Sequence, residues 1–187
     1  MKITKLMATL FGVMFLLSFT TTFYKEDVYA VNTKESKVEF SGNKKSGYHP
    51  GYFPVKNGTV NVANGKITGG KFEIDIAGIK VTDESGEHLE GTLKSKDFFN
   101  TAAFGMAQYD ITAVNYKDDT NAEILGNLTV KGIKAEVKFN AVIRDVNDKS
   151  LFAQGFFTVD RTKIGLPGFE KDIAKDVQIA VHLFASK

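Results

Sequence analysis

Apolar and polar side chains alternate with a period of two residues through most of the chain that follows Val31. The clearest case is residues 133–143, where every second side chain is apolar and most of those between are charged or amide side chains. Successive side chains of a β-strand point to opposite faces, so this period predicts strands that each bury one face. Similar runs occupy residues 38–40, 60–62, 71–76, 109–113, 122–130, 151–159 and 177–183. The pattern predicts an all-β fold.

Glycine marks the short turns between these runs. The pairs Asn57-Gly58 and Asn64-Gly65 predict tight hairpins, because both residue types tolerate positive φ. Gly132 lies between two alternating runs and predicts another short turn. We therefore expect most neighbouring strands to be antiparallel.

Residues 84–99 depart from the alternation. Leu89 and Leu93 stand four residues apart with polar residues between them, which is a helical spacing, although Gly91 weakens a helix. We predict a short helix or a structured crossover in this segment.

Regular strands with one polar face favour a single sheet closed into a barrel. A two-sheet sandwich is the main alternative, because it also buries one face of each strand. No internal repeat, low-complexity segment or linker interrupts residues 31–187, so we expect one domain there.

The first residues carry the features of an export signal. Lys2 and Lys5 precede an apolar run over residues 6–19. A basic start followed by a short apolar run is typical of a secretory signal peptide. A membrane-spanning helix needs about 20 apolar residues, so this run is short for one.

Ala30, with Val28 two residues before it, offers a cleavage point. We therefore predict a signal peptide over residues 1–30 and an exported domain over residues 31–187. An uncleaved membrane anchor is the alternative. The sequence predicts an exported protein without a stable membrane anchor.

Composition excludes several classes of function. The chain has no cysteine, which rules out disulfides, thiolate nucleophiles, cysteine metal sites and acylated lipoprotein anchors. A formal net charge of +2 gives no electrostatic footprint for nucleic acid. The 16 phenylalanines favour either a generous core or an apolar cavity.

Five motifs in a fixed order resemble the YceI-like family over nearly all of residues 31–187. They are residues 47–51 (GYHPG), 69–75 (GGKFEID), 89–100 (LEGTLKSKDFFN), 126–133 (GNLTVKGI) and 159–165 (VDRTKIG). The resemblance implies a lipocalin-like antiparallel β-barrel, usually eight-stranded, in the bacterial periplasm. It implies an elongated apolar interior for a polyisoprenoid or similar long-chain amphiphile, and no established catalytic residues.

Two positions depart from the family's pattern. Thr92 stands where relatives often have histidine, and Phe104-Gly105 stands where they often have an aromatic residue and proline. These changes bear on contacts with a ligand's headgroup more than on the fold.

Inward-facing side chains of the predicted strands are our candidates for lining the ligand tube: Phe72, Ile74, Ile76, Tyr109, Ile111, Val137, Phe139 and Phe157. His49, in a Gly- and Pro-rich loop between Tyr48 and Tyr52, is the best polar candidate to cap an opening. The alternatives are a solid core and an ordinary exposed histidine.

Two other functions stay open. One is a structural or interaction domain with a packed interior. The other is a metal-assisted hydrolase using Asp83, Glu84, Glu87 and His88, although their spacing matches no zinc motif. We expect a non-enzymatic lipid binder with no cofactor, no metal and no nucleic-acid partner, and a homodimer is one form it could take.

Overall fold

The computed structural model describes residues 25–45, 47–166, 168 and 171–187. The described chain contains one α-helix, α1 (Gly86–Lys94), and a single 3₁₀ turn, Arg161–Ile164. Its strands are β1 (Asp27–Val31), β2 (Lys37–Lys44), β3 (Gly47–Ala63), β4 (Lys66–Asp75), β5 (Lys80–Val81), β6 (Met106–Tyr116), β7 (Asn121–Val130), β8 (Ile133–Val146), β9 (Ser150–Asp160) and β10 (Asp176–Ser186).

The strands close into a barrel. In the order β2, β3, β4, β6, β7, β8, β9 and β10, each strand pairs antiparallel with the next, and β10 returns to pair with β2. The prediction of an eight-stranded, lipocalin-like antiparallel barrel is confirmed. The sandwich alternative is wrong because these eight strands pair in one continuous ring.

β1 and β2 share one position in the barrel. β1 pairs with β3 and with the end of β10, beyond the part of β10 that β2 reaches. Buried Ser36 bridges the interruption, because its Oγ donates to the Phe184 carbonyl and accepts from the Phe184 N–H, both at 3.0 Å. The barrel therefore stays closed although this strand is broken.

The predicted export signal lies largely outside the described residues, which begin at Lys25. Ala30, the predicted cleavage point, lies within β1. Across the described ranges, no helix is both long and apolar enough to cross a membrane.

Two predicted turns and the predicted helix are confirmed. Asn64 (φ 53°) and Gly65 (φ 70°) connect β3 to β4, and Lys131 (φ 50°) and Gly132 (φ 76°) connect β7 to β8. Positive φ at both central residues gives a turn whose twist matches that of the strands. The helix α1 lies inside the segment that broke the alternation.

The turn predicted at Asn57-Gly58 is wrong, because both residues lie inside β3. A Cβ on Gly58 would approach Val31 Cγ2 to 2.8 Å and Phe72 Cδ1 to 3.0 Å. The glycine thus permits close packing of two other strands beside β3. The register of β3 against β4 shifts between Val55 and Asn57, which marks a bulge.

Buried side chains form two clusters along the barrel axis. We call the end that carries α1, the β2–β3 and β7–β8 turns and the 3₁₀ turn the α1 end, and the opposite end the β1 end. The cluster at the β1 end includes Tyr29, Val60 and Ile67, and closes that end. The cluster at the α1 end, including Ile76, Ile79 and Val159, surrounds the site described next.

Candidate functional site

An apolar cavity of about 380 Å³ occupies the part of the barrel toward the α1 end. Nearly all of its lining is aliphatic or aromatic. Lys44, at the end of β2, lines the cavity and is exposed, so the cavity reaches the protein surface there. Its volume lies in the range of ligand sites.

All nine predicted site residues face cavities inside the barrel. Those that line the larger cavity are His49, Ile74, Ile76, Tyr109, Val137, Phe139 and Phe157. Phe72 and Ile111 line a second cavity of about 90 Å³, which lies toward the β1 end. The period-two alternation therefore placed the eight apolar and aromatic candidates on the inner face, whereas His49 was chosen without it. Their role in binding a ligand stays a prediction.

A row of four aromatic rings lies along the inner wall of the barrel, on β4, β6, β8 and β9, where the two cavities meet. Ring centroids are 6.5 Å apart for Phe72 and Tyr109, 6.0 Å for Tyr109 and Phe139, and 4.3 Å for the stacked rings of Phe139 and Phe157. Tyr109 and Phe139 line both cavities. We call these four rings the aromatic row. Together with Val38, Ile74 and Val181, which also line both cavities, it forms the boundary between a larger and a smaller compartment.

The aromatic row is fixed by its neighbours. The Tyr109 hydroxyl donates to the Val137 carbonyl at 3.1 Å, and burial raises the pKa of this phenol. A Cβ on Gly126 would lie 2.6 Å from the Tyr109 hydroxyl, and one on Gly155 would lie 2.8 Å from Phe139 Cε2. These two inward-facing glycines are the sequence signal for the row, since they leave space that only the rings fill.

Residues outside the regular strands cover the α1 end of the cavity, and the sequence analysis missed them as lining residues. They are Ile79, Leu89, Leu93, Phe98, Phe99, Ile164, Leu166 and Ile173. The spacing of Leu89 and Leu93 was the available signal, because α1 turns both toward the barrel.

A buried carboxylate fixes α1 to the barrel. Glu90 accepts from the Val81 N–H at 3.0 Å and from Lys80 Nζ at 3.3 Å, and Lys94 Nζ lies 3.7 Å away. The hydrogen bond from the Val81 N–H, together with Lys80, holds the pKa of Glu90 below its usual value. The helix is therefore anchored by a charge-assisted contact as well as by its leucines.

Arg161 is a further residue of the cavity lining that was not predicted from the sequence. Its side chain is only 2 % exposed and lines the cavity. Nε donates to the Ala174 carbonyl at 3.0 Å, and the other guanidinium nitrogens donate to the carbonyls of Leu166, Gly168 and Ile173. The buried guanidinium thus holds the residues that follow it over the α1 end.

His49 lies in β3 and not in a loop, which corrects our description of its segment. β3 extends to Gly47 because it pairs with β2 along its whole first half. His49 Nδ1 lies 2.6 Å from Asp83 Oδ2 and 3.3 Å from Ser85 Oγ. The hydrogen bond from His49, with that from the Ser85 N–H, holds the pKa of Asp83 below its usual value.

The residues of the hydrolase alternative do not come together. Asp83 faces His49, whereas Glu84, Glu87 and His88 are exposed. Among the residues that the structure describes, no group of three or more histidine, aspartate or glutamate side chains is placed to hold a metal ion.

The sequence model of the YceI-like domain matches residues 29–185. The chain belongs to the YceI-like family. Among curated relatives, this YceI-like protein is 29% identical to a UPF0312 protein of Shewanella denitrificans over 139 residues, which cover 73% of this chain and 71% of the relative.

Solved structures share the fold of this YceI-like protein. BcnA of Burkholderia cenocepacia has a TM-score of 0.73 at 21% identity, covering 83% of this chain and 99% of that one. A polyisoprenoid binding domain from Saccharophagus degradans has a TM-score of 0.67 at 12% identity, covering 84% and 97%. At these identities the likeness establishes a common fold.

Proposed function

We propose that the protein binds a long apolar molecule, a polyisoprenoid or similar lipid, inside its barrel. The observation that carries this proposal is the cavity of about 380 Å³ whose few polar groups lie mostly at the α1 end. Protein interiors are close-packed and contain few voids larger than a water molecule. A cavity of this size therefore argues against the alternative of a structural domain with a packed interior.

Hydrophobic transfer alone can hold such a ligand. Burial of apolar surface contributes roughly 25 cal/mol per Å², so a long chain needs no covalent attachment. The fold shared with a polyisoprenoid binding domain supports the same ligand class. We propose binding, for carriage, storage or protection, in place of catalysis. Assembly as a homodimer stays a prediction.

Recovery and rebinding of lipid tests this function. We expect native mass spectrometry to show one long-chain lipid bound per barrel, and the delipidated protein to rebind a polyprenol. Ala107→Phe projects a ring into the cavity from buried Ala107 and should weaken binding at least about tenfold. Ala103→Phe, at an exposed position in the preceding loop, is the matched control. Failure of the wild-type protein to bind any long-chain lipid would refute the proposal.

We further propose that the protein is exported and acts in the periplasm, free of a lipoprotein anchor because the chain has no cysteine. Long isoprenoid chains are poorly soluble in water, which gives a soluble carrier outside the cytoplasm a physical purpose. The apolar run that follows Lys5 is the basis for export.

The position of β1 leads to a prediction about signal cleavage. A cut after Ala30 would remove Tyr29, which is 2 % exposed and whose hydroxyl donates to the Asn147 carbonyl at 2.8 Å. We therefore expect the mature chain to begin before Asp27, so that β1 is kept. N-terminal sequencing of the protein from a periplasmic extract would show this. A mature chain that begins at Val31 would contradict it, and one that begins at Met1 would support the uncleaved anchor.

A further inference from the structure

The polar side chains that line the larger cavity differ in whether they already have a hydrogen-bond or ion-pair partner within the protein. The Tyr109 hydroxyl is bonded to a carbonyl, and the Arg161 guanidinium donates to four carbonyls. Lys44 lines the cavity and makes no ion pair or side-chain hydrogen bond with any residue in the described part of the chain. Neighbouring Lys45, by contrast, pairs with Asp172 at 3.7 Å. Lys44 is therefore a cation at the cavity entrance without a counter-charge from the described protein.

The pairing of β2 with β3 places His49 beside this cation. Gly42 is directly opposite His49, and Lys44 lies two residues further along β2, on the same face as Gly42. Side chains in this diagonal relation are about 7–8 Å apart at their Cα atoms, within reach of a long side chain. A Cβ on Gly42 would meet no atom within 4 Å. The result is an open space above Gly42, flanked by Lys44 and His49, which we call the Gly42 notch.

Asp83 determines how His49 faces the notch. Its carboxylate lies 2.6 Å from Nδ1 of the imidazole, so Nδ1 carries a proton and Nε2 is the nitrogen left for another partner. Asp83 hydrogen-bonds to His49, and Asp172 pairs with Lys45 at 3.7 Å, so neither acid is paired with Lys44.

We propose that the Gly42 notch binds the anionic headgroup, a phosphate or a carboxylate, of the lipid whose chain occupies the cavity. Lys44 Nζ donates to the headgroup oxygens, and the missing side chain at Gly42 gives the headgroup room beside His49. Charge-assisted hydrogen bonds of this kind are stronger than those between neutral groups. This proposal rests on the proposed lipid-binding function, and it goes further by fixing the ligand's direction, with the headgroup at the α1 end and the chain toward the aromatic row.

The test compares two lipids that differ only at the head: a polyprenyl phosphate and the polyprenol of the same chain length. We expect the wild-type protein to bind the phosphate about tenfold more tightly, a preference that weakens with salt. Lys44→Gln should remove most of that preference, because it weakens binding of the phosphate much more than that of the polyprenol. Lys138→Gln, at an exposed position on β8 between the inward-facing Val137 and Phe139, is the matched control and should change neither affinity. Oleate and oleyl alcohol form a second pair, which shows whether a carboxylate serves as well as a phosphate.

A second variant fills the notch and leaves every charged side chain in place. Gly42→Val places a side chain in open space at a strand position, where β-branched residues are favoured, so the barrel should fold. It should weaken binding of the phosphate more than that of the alcohol. Equal affinity of the wild-type protein for both lipids, or an equal loss of both in Lys44→Gln, would overturn the headgroup site and leave lipid binding intact. If neither lipid binds, the proposed function fails, and this site fails with it.

Discussion

Replacing Arg161 with methionine is expected to destabilise the barrel by about 3 kcal/mol or more, because four carbonyl groups lose a buried donor. Methionine fills much of the same volume, so the lost stability comes mainly from the missing hydrogen bonds and only to a small extent from an empty cavity. For a protein of this size the change corresponds to a fall in Tm of roughly 10 °C. Urea unfolding followed by circular dichroism would measure it.

The chain supplies a matched control, because its other arginine has the opposite environment. Arg144 is exposed and donates to Gln154 Oε1 at 2.9 Å. Arg144→Met should change the free energy of unfolding by less than about 0.5 kcal/mol. Arg161→Lys should also be destabilising, since an ammonium cannot reproduce the planar fork that reaches separate carbonyls. If Arg161→Met unfolds at the same urea concentration as Arg144→Met, the anchoring role is wrong.

The second large effect is on ligand length. Phe139→Ala opens the aromatic row and joins the cavities of about 380 Å³ and about 90 Å³. The variant should accept chains at least one isoprene unit longer than the wild-type protein does. Each additional buried CH₂ contributes about 0.8 kcal/mol, so its affinity for the longer chain should rise about tenfold or more relative to the shorter one. Competition among polyprenols of graded length would measure the shift.

Controls separate this effect from general loosening. Phe139→Ala costs about 3–5 kcal/mol of stability, so thermal unfolding must first show that the variant is folded at the assay temperature. Phe139→Leu is a milder change at the same position. Phe156, which is 62% exposed on the outer face of β9, provides the matched ring deletion, and Phe156→Ala should leave the length preference unchanged. An unchanged preference in a folded Phe139→Ala protein would show that the row does not limit the chain.

Much of the fold was predictable because local alternation determines which face of each strand is buried. Closure was not predictable from that pattern, since it depends on β10 pairing with both β9 and β2, far apart in sequence. The family resemblance supplied this step. Asn57-Gly58 was misinterpreted for a related reason: Asn-Gly favours a turn locally, whereas here Val31 and Phe72, from other strands, require the glycine.

The candidate site also contains residues that could be predicted from the sequence and residues that could not. Inward-facing strand residues such as Ile74 and Val137 were predictable, because a strand's period assigns their side. The cover of the α1 end was not, because its residues have no regular period. Arg161 was hardest to predict, since a charged residue is normally exposed. Its partners here are backbone carbonyls, which every residue carries, so no residue type in the sequence indicates them.

The pairing of β1 with β10 has a consequence for the order of folding. It joins the two ends of the described chain, where Ala30 pairs with Ser186 and Lys187 Nζ lies 2.8 Å from Asp27 Oδ2. The ring of strands cannot be completed until the last 11-residue strand, Asp176–Ser186, has been synthesised and is free to move. Such long-range contacts make folding slow. For the export proposed above, slow closure would help to keep the chain unfolded and competent for passage through a translocation channel.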